Sequence, residues 1–324
     1  MSNKIHRAGF VNIIGNPNVG KSTLMNALVG ERLSIITAKS QTTRHRIMGI
    51  VNGDDYQIVY SDTPGILRPS YKLQQSMMDY VETAIGDADI ILYVTDVVEK
   101  SDKNIEYIEK LNRVLCPVIL IINKIDLSNN DEVNELIKKW KELIPNAEIM
   151  VASAQEKFNL DNIFDAIVEN LPVAPAWYDK DVFTDKNLRF FASEIIREKI
   201  LLNYDKEIPY CCEIEIDSYK EESAIDRISA TIYVTRDSQK GIIIGHKGEK
   251  LKKAGPATAV EILGLSDVPV AGDVFNAVGR KFRHVCINLS GEQIAVRAVN
   301  VAVLEIPPRQ LFGQNAVENH VFVV

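Results

Sequence analysis

Residues Gly15, Asn16, Pro17, Asn18, Val19, Gly20, Lys21 and Ser22 spell G-x-x-x-x-G-K-S, the phosphate-binding loop. No other stretch restricts the fold as much, because the pattern works only between a strand and a helix. The glycines permit a tight turn whose N–H groups point inward at phosphate oxygens. A helix starting near Lys21 adds its positive N-terminal end. Lys21 supplies charge to the β- and γ-phosphates, and the Ser22 hydroxyl can ligate Mg²⁺, with Thr23 next in the loop. The flanks agree: residues 8–14 are apolar enough for a buried strand, and residues 21–29 follow a helical pattern.

That strand–loop–helix unit opens a longer alternation. Apolar runs at 8–14, 56–60, 90–95, 117–122 and 147–151 predict strands, and helical patterns lie near 21–29, 74–86, 102–114, 131–142 and 160–171. Such alternation predicts an α/β domain, a mainly parallel sheet with helices on both faces. Ligands of such sheets bind beyond the carboxyl ends of the strands, and the remaining motifs fall there. Asp62, Thr63, Pro64 and Gly65 follow the second expected strand. Alone, D-x-P-G is a common turn. Some 40 residues after a phosphate loop, its carboxylate can hold Mg²⁺ through water and the Gly65 N–H can reach a γ-phosphate. Asn123, Lys124 and Asp126 follow the most apolar strand. A carboxylate there accepts hydrogen bonds from N1–H and the exocyclic amine of guanine, a donor pair adenine lacks, so the wrong base leaves it unpaired. Ser153 and Ala154, with Gln155, would offer backbone N–H groups to the guanine oxygen.

Together these segments resemble the nucleotide-binding motifs of a small GTPase domain, with Mg²⁺ as cofactor and GTP and GDP as ligands. The segment Gln41, Thr42, Thr43, Arg44, His45 then stands where a switch is expected, ordered by GTP and released on hydrolysis. Thr43, which precedes Arg44, is the preferred Mg²⁺ ligand beside Ser22, with Thr42 the alternative. Ile66 occupies the position after Gly65 where many GTPases carry a water-orienting Gln, so no catalytic residue is assigned. Asn18 is a candidate ligand for a monovalent cation such as K⁺, an idea that rests on the missing Gln and on resemblance to cation-dependent relatives.

Leu171, Pro172, Val173, Ala174 and Pro175 break the last helix and suggest a linker. The expected division is a GTPase domain over 1–172, a linker over 173–185, a KH-like RNA-binding domain over 186–253 and an atypical tail over 254–324. The second domain is expected to be α+β. It opens with an amphipathic helix over 188–200 that Thr184 or Asp185 could cap, then strands over 211–218 and 228–235. Next come Ile242, Ile243, Ile244, Gly245, His246, Lys247, Gly248 and Lys250. Gly245 to Gly248 match the G-x-x-G loop of a KH domain. Its glycines admit a nucleic-acid backbone and its middle residues face phosphates, while the isoleucines are expected to line a groove for bases. G-x-x-G alone is a weak signal. Here residues 236–253 also carry six Lys or Arg against two acids, in a chain whose net charge is −7. Any nucleic-acid site must therefore be local.

Taken with these motifs, the chain resembles the Era family of bacterial GTPases with a C-terminal KH domain over about residues 5–253. The resemblance implies binding to the 3′ end of small-subunit ribosomal RNA and a role in maturation of the 30S subunit. Past Lys253 the expected pattern stops: two prolines and three glycines between 255 and 272 argue against a long helix. Residues 254–277 look similar to part of a β-barrel in bacterial translation initiation factor two, but a factor of that type lacks its other domains here. The missing third strand would leave a sheet edge open unless 282–289 or 296–306 fills it. A second function is thus a GTP-binding protein with impaired RNA binding because this part is replaced.

Composition adds limits. Cys116, Cys211, Cys212 and Cys286 have no metal spacing and no secreted framework, so they are expected to be reduced. No apolar run approaches the roughly 20 residues of a membrane span. A monomer in the cytoplasm is expected, with peripheral contact at the inner membrane face left open.

Overall fold

The computed structural model describes residues 5–99, 104–221 and 226–244, and the backbone of strands at 285–289, 292–306 and 322–323. The chain divides into two compact units, Met1–Lys186 and Asn187–Val324.

The first unit is built on β1 (Arg7–Gly15), β2 (Ile47–Asn52), β3 (Tyr56–Asp62), β4 (Ile90–Asp96), β5 (Val118–Asn123) and β6 (Glu148–Val151). Their order is β2-β3-β1-β4-β5-β6. All pairs are parallel except β2 with β3. β4 and β5 are buried along their whole length, as strands covered on both faces must be. The helices are α1 (Lys21–Val29), α2 (Lys72–Gly86), α3 (Ile105–Leu111), α4 (Asn130–Leu143) and α5 (Leu160–Asn170). Met77, Val81, Ile108, Leu111, Trp140 and Ile144 of the α2–α4 side share one apolar cluster with Ile91, Tyr93, Leu120 and Ile122. α1 packs on β1, β2 and β3 and touches α5.

β2 was not among the expected strands. It is an edge strand joined to β3 by a tight turn, with the Gly53 N–H donating to the Tyr56 carbonyl at 2.9 Å. The segment expected to be a free linker lies along it. The Ile50 N–H donates to the Phe183 carbonyl (2.8 Å). The Thr184 hydroxyl donates to the Met48 carbonyl (2.8 Å), and the Met48 N–H donates to Asp185 Oδ1 (2.9 Å). Gln57, fully buried on β3, holds the same segment: its Oε1 accepts from the N–H groups of Trp177 (2.6 Å) and Tyr178 (3.0 Å), and its Nε2 donates to the Tyr178 carbonyl (2.8 Å). The first unit accordingly runs to Lys186 rather than ending at 172. Thr184 and Asp185, expected to cap the next helix, are spent on β2. Asn187 takes the cap, its Oδ1 accepting from the Phe190 N–H at 3.0 Å.

The second unit contains α6 (Leu188–Asn203), β7 (Cys212–Lys220), β8 (Asp226–Val234), α7 (Asp237–Ile244), β9 (Val285–Leu289), β10 (Glu292–Ile306) and β11 (Phe322–Val323). Its sheet order is β11-β10-β8-β7, with β9 on β10. Ala192, Ile196 and Ile200 of α6 pack on Cys212, Ile214, Ala230, Ile232 and Val234. The open question about the sheet edge is answered: β10 pairs antiparallel with β8, Arg297 opposite Val234 through Ile306 opposite Asp226. Residues 254–277, compared above with a β-barrel, lie outside the described residues.

Replacing Gln57 with Leu removes the only groups shown to satisfy the Trp177 and Tyr178 main chain on this side. We expect a loss of about 1–3 kcal/mol in unfolding free energy, the cost of unmade buried hydrogen bonds. Limited proteolysis should then cut within 173–186 faster than in the parent, and an unchanged digestion rate would show that Gln57 does not hold this segment.

Candidate nucleotide-binding site and switch

The parallel register brings the carboxyl ends of β1, β3, β4 and β5 to one rim, where a cleft of about 420 Å³ opens. Its lining comes from the phosphate loop (Pro17, Asn18, Gly20, Lys21, Ser22, Thr23), the segment 35–43, Gly65, Lys124 and Gln155. The loop closes as its sequence demands. Gly20 has φ 95°, and a Cβ there would sit 2.3 Å from Asn123 Nδ2. Gly65 is equally constrained: its Cβ would lie 2.7 Å from the Pro17 backbone, so the β3 loop and the phosphate loop touch main chain to main chain.

Lys21 is buried, its Nζ donating to the carbonyls of Gly15 (3.0 Å) and Asn16 (2.7 Å). Burial lowers its pKa to about 8, with the charges of Asp62 and Glu99 pulling upward. Asn123 ties the guanine-reading motif to the loop. Its Nδ2 donates to the Val19 carbonyl and its Oδ1 accepts from the Ala154 N–H, both at 2.9 Å. Lys124, in left-handed conformation, donates to the Asn18 carbonyl at 2.5 Å and pairs with Asp96 at 2.7 Å. Asp126 stands exposed beyond it in a short 3₁₀ turn, available to a base. Ser153 and Ala154 follow β6, buried beside Asn123.

Three oxygens converge on the other side of Lys21. The Ser22 hydroxyl donates to Asp62 Oδ2 (2.7 Å) and lies 3.0 Å from Thr43 Oγ1, which itself reaches Asp62 Oδ2 at 3.3 Å. Asp62 Oδ1 is buried and has no hydrogen-bond partner among the described residues. Burial raises the Asp62 pKa, against the Ser22 hydrogen bond and the Lys21 charge. Hard oxygen donors around a buried, underused carboxylate fit a small divalent cation such as Mg²⁺. Thr42 does not share this cluster. Its hydroxyl donates to the Lys39 carbonyl and meets Thr37 Oγ1, both at 2.6 Å, so Thr43 is the member of the pair that joins Ser22 and Asp62. The segment is pinned at its start, where Asn26 Oδ1 accepts from the Leu33 and Ser34 N–H groups at 3.0 Å.

Asp62 and its neighbours have separate tasks. The Thr63 hydroxyl donates to the Ile13 carbonyl (2.7 Å), and the Ile66 N–H to the Gly15 carbonyl (3.1 Å). The Ile66 side chain is buried among Met77, Met78 and Tyr93. It therefore faces the core rather than a phosphate, and a hydrocarbon side chain cannot orient water by hydrogen bonding. Asn18 directs its Nδ2 at the Ala38 carbonyl (3.2 Å), across to the switch.

Two residues of the rim were missed from sequence. Asp96 receives Lys124 and, through Oδ1, the N–H groups of Val98 and Glu99. Its place at the end of β4, like that of Asp62 at the end of β3, was the available signal. Arg46 leaves no signal, since its partners are distant in sequence.

In the second unit one expectation fails. Ile243 and Ile244 are buried in the core, because α7 turns them toward Tyr204, Ile232 and Val234. The Tyr204 hydroxyl, its pKa raised to about 12 by burial, donates to the Ile243 carbonyl at 2.6 Å. Ile242, 40% exposed, is the one of the three left for a partner. Gly245, His246, Lys247, Gly248 and Lys250 lie outside the described residues.

Comparison with known proteins agrees with both units. A family model described as a 50S ribosome-binding GTPase matches residues 10–124, and one for the KH domain matches 207–301, well past the expected limit at 253. GTPase Era of Geobacter metallireducens is 42% identical over 278 residues, 85% of this chain and 93% of that protein. A crystal structure of Era with MgGDPNP and nucleotides 1506–1542 of 16S ribosomal RNA superposes with a TM-score of 0.73 at 36% identity, covering 77% of this chain and 86% of its own. A variant of Aquifex aeolicus Era bound to GDP and AlF₄⁻ gives the same TM-score and coverage at 37% identity. Extended over most of both chains and carried by the motifs that close this cleft, the similarity makes the chain a member of the Era family of GTPases.

Proposed function

We propose that this protein is a GTP-operated switch that binds small-subunit ribosomal RNA near its 3′ end and assists maturation of the 30S subunit. The observation that carries the proposal is the meeting of Ser22, Thr43 and Asp62. One hydroxyl belongs to the phosphate loop and one to the segment 35–43, so a γ-phosphate and its cation favour the arrangement that joins them. Ser22 and Thr43 would hold Mg²⁺ directly and Asp62 through water. Bound there, the ion would neutralise charge developing on the phosphates. The loop Gly15 to Ser22, Pro17 excepted, supplies N–H groups and Lys21 its ammonium to the phosphates. Gly65 offers its N–H to the γ-phosphate, and Asp126 reads guanine with Ser153 and Ala154 behind it.

RNA binding is supported by the KH match and by the relative whose structure contains 16S RNA. Within the second unit, Ile242 and the loop Gly245 to Gly248 with Lys250 are the proposed contacts. Filter binding to a 3′-end fragment of small-subunit RNA, at stated salt, tests this. Binding should be tighter with a non-hydrolysable GTP analogue than with GDP, and Gly245→Asp should abolish it. Affinity equal to that for random RNA would instead favour the alternative, a GTP-binding protein with impaired RNA recognition.

Hydrolysis lacks a water-orienting side chain at Ile66. We propose that K⁺ held by Asn18 Oδ1 compensates; the Ala38 carbonyl, which accepts from Asn18 Nδ2 at 3.2 Å, is the oxygen near enough to share it. Turnover should be about tenfold faster in K⁺ than in Na⁺, roughly 1.4 kcal/mol in the barrier, and Asn18→Ala should remove the difference. Equal rates in the two salts would exclude it.

The depressed Lys21 pKa gives a proton signature. Without nucleotide, Lys21 is charged below about pH 8 and mostly neutral at pH 9. Phosphates restore its charge, so binding GDP without Mg²⁺ at pH 9 should take up most of a proton, whereas at pH 7 it should take up none. The sign follows because the bound state holds the proton more tightly than the free state. Calorimetry in buffers of different ionisation enthalpy measures this, and no uptake at pH 9 would contradict it.

A further inference from the structure

Arg46 lies three residues beyond Thr43, at the point where the switch segment becomes β2. Its side chain is 10% exposed, and its guanidinium is committed to three elements. Nε donates to Ser61 Oγ at 2.6 Å. Nη1 donates to Asp87 Oδ2 at 2.6 Å, and Nη2 to Asp87 Oδ1 at 2.9 Å and Asn12 Oδ1 at 3.1 Å. Asn12 closes the network, its Nδ2 donating to the Ala84 carbonyl (2.6 Å) and to Asp87 Oδ1 (2.7 Å). Asn12 and Ser61 are fully buried. A polar group placed there must be satisfied, so the network has essentially one arrangement.

The location of each partner matters. Ser61 immediately precedes Asp62, the cation-side carboxylate. Asn12 lies on β1, the strand that runs into the phosphate loop. Asp87 follows the last residue of α2, the helix entered from the Asp62–Gly65 loop. The clamp thus fixes the exit of the switch segment to the strands that carry the other two cation-side oxygens. Three residues of chain span at most about 11 Å, so Thr43 cannot wander far from a fixed Arg46.

We propose that Arg46 is the positioning residue that holds Thr43 at the cation site, through its clamp on Asn12, Ser61 and Asp87. The proposal rests on the switch reading given above. A rigid fork with five donors suits this task and a lysine does not, because one ammonium cannot span Ser61, Asn12 and both Asp87 oxygens. Thr43 is needed only when a γ-phosphate is present, so the clamp should matter for GTP and not for GDP. A residue needed merely for folding would weaken both.

The test compares the full-length protein with Arg46→Lys, Asp87→Asn, Thr43→Ala and the double variant Arg46→Lys/Thr43→Ala. Binding of fluorescent GDP and of a non-hydrolysable GTP analogue is measured with Mg²⁺ and with a chelator. Arg46→Lys should lose about tenfold in affinity for the GTP analogue in Mg²⁺, which is about 1.4 kcal/mol. GDP affinity should change less than threefold, and the selective loss should vanish in chelator. The double variant should bind no worse than Thr43→Ala alone, since both changes remove one interaction. Asp87→Asn, a change at a side chain that is itself half exposed, should show the same selectivity at smaller size. Equal losses for GDP and GTP analogue, additive effects or no change would each overturn the proposal. If the parent shows no Mg²⁺-dependent preference for the GTP analogue over GDP, the switch reading fails and this inference with it.

Discussion

Everything at the rim of the first unit hangs on one buried side chain, Asn123. Its amide is spent in two directions: Nδ2 on the carbonyl of Val19 in the phosphate loop, Oδ1 on the N–H of Ala154 beyond β6. Three loops far apart in sequence are thereby fixed to one another without a ligand. A side chain with only donors or only acceptors could not do this, and the loss of either bond would leave a buried group unsatisfied. Gly20 is the counterpart of that arrangement, because any Cβ would occupy the space of the Asn123 amide. The phosphate loop and the guanine-reading loop are therefore specified jointly, and a base and its phosphates meet a cleft already assembled.

Opposite Asn123 the design is reversed. There the oxygens of Ser22, Thr43 and Asp62 gather around a carboxylate with one oxygen unused. Burial opposes charge on Asp62, so the cluster is costly unless a cation joins it. The cleft is thus fixed by hydrogen bonds around Asn123 and held on the opposite side by the Ser22, Thr43 and Asp62 oxygens. Ile66 fits the same logic. It is drawn into the core with Met77 and Met78, which stabilises the start of α2 but gives up water orientation at that position.

The motifs of the first unit were legible because each is local: a glycine-lysine turn, a D-x-P-G turn and an N-K-x-D turn, each at the end of an apolar run. What was not legible is long-range. Arg46 meets Ser61, Asn12 and Asp87 at separations of 15, 34 and 41 residues, and nothing in the pattern R-H-R announces them. β2 was missed because Ile47 to Asn52 is short, carries Gly49 and borders a segment assigned to the switch; its strand identity comes from pairing with β3. The run Ile242, Ile243, Ile244 has no periodicity of its own, so only the helical turn of α7 decides that two of the three face inward. β10 illustrates the opposite case. Its apolar character was visible at 296–306, but the choice between strand and helix depended on the open edge of β8.

The segment read from sequence as an interdomain linker is bonded to the edge of the first unit's sheet. Residues 177–185 are bonded to Met48, Ile50 and Gln57, so they belong mechanically to the edge of the GTPase sheet. β2 begins one residue after Arg46, and the switch segment ends there. The same six-residue strand thus carries the switch at its start and the linker along its free edge. The composition of this segment therefore matters less than its hydrogen bonds: a segment of equal length that did not pair with β2 would leave the Met48 and Ile50 N–H groups without the partners they have at Asp185 and Phe183.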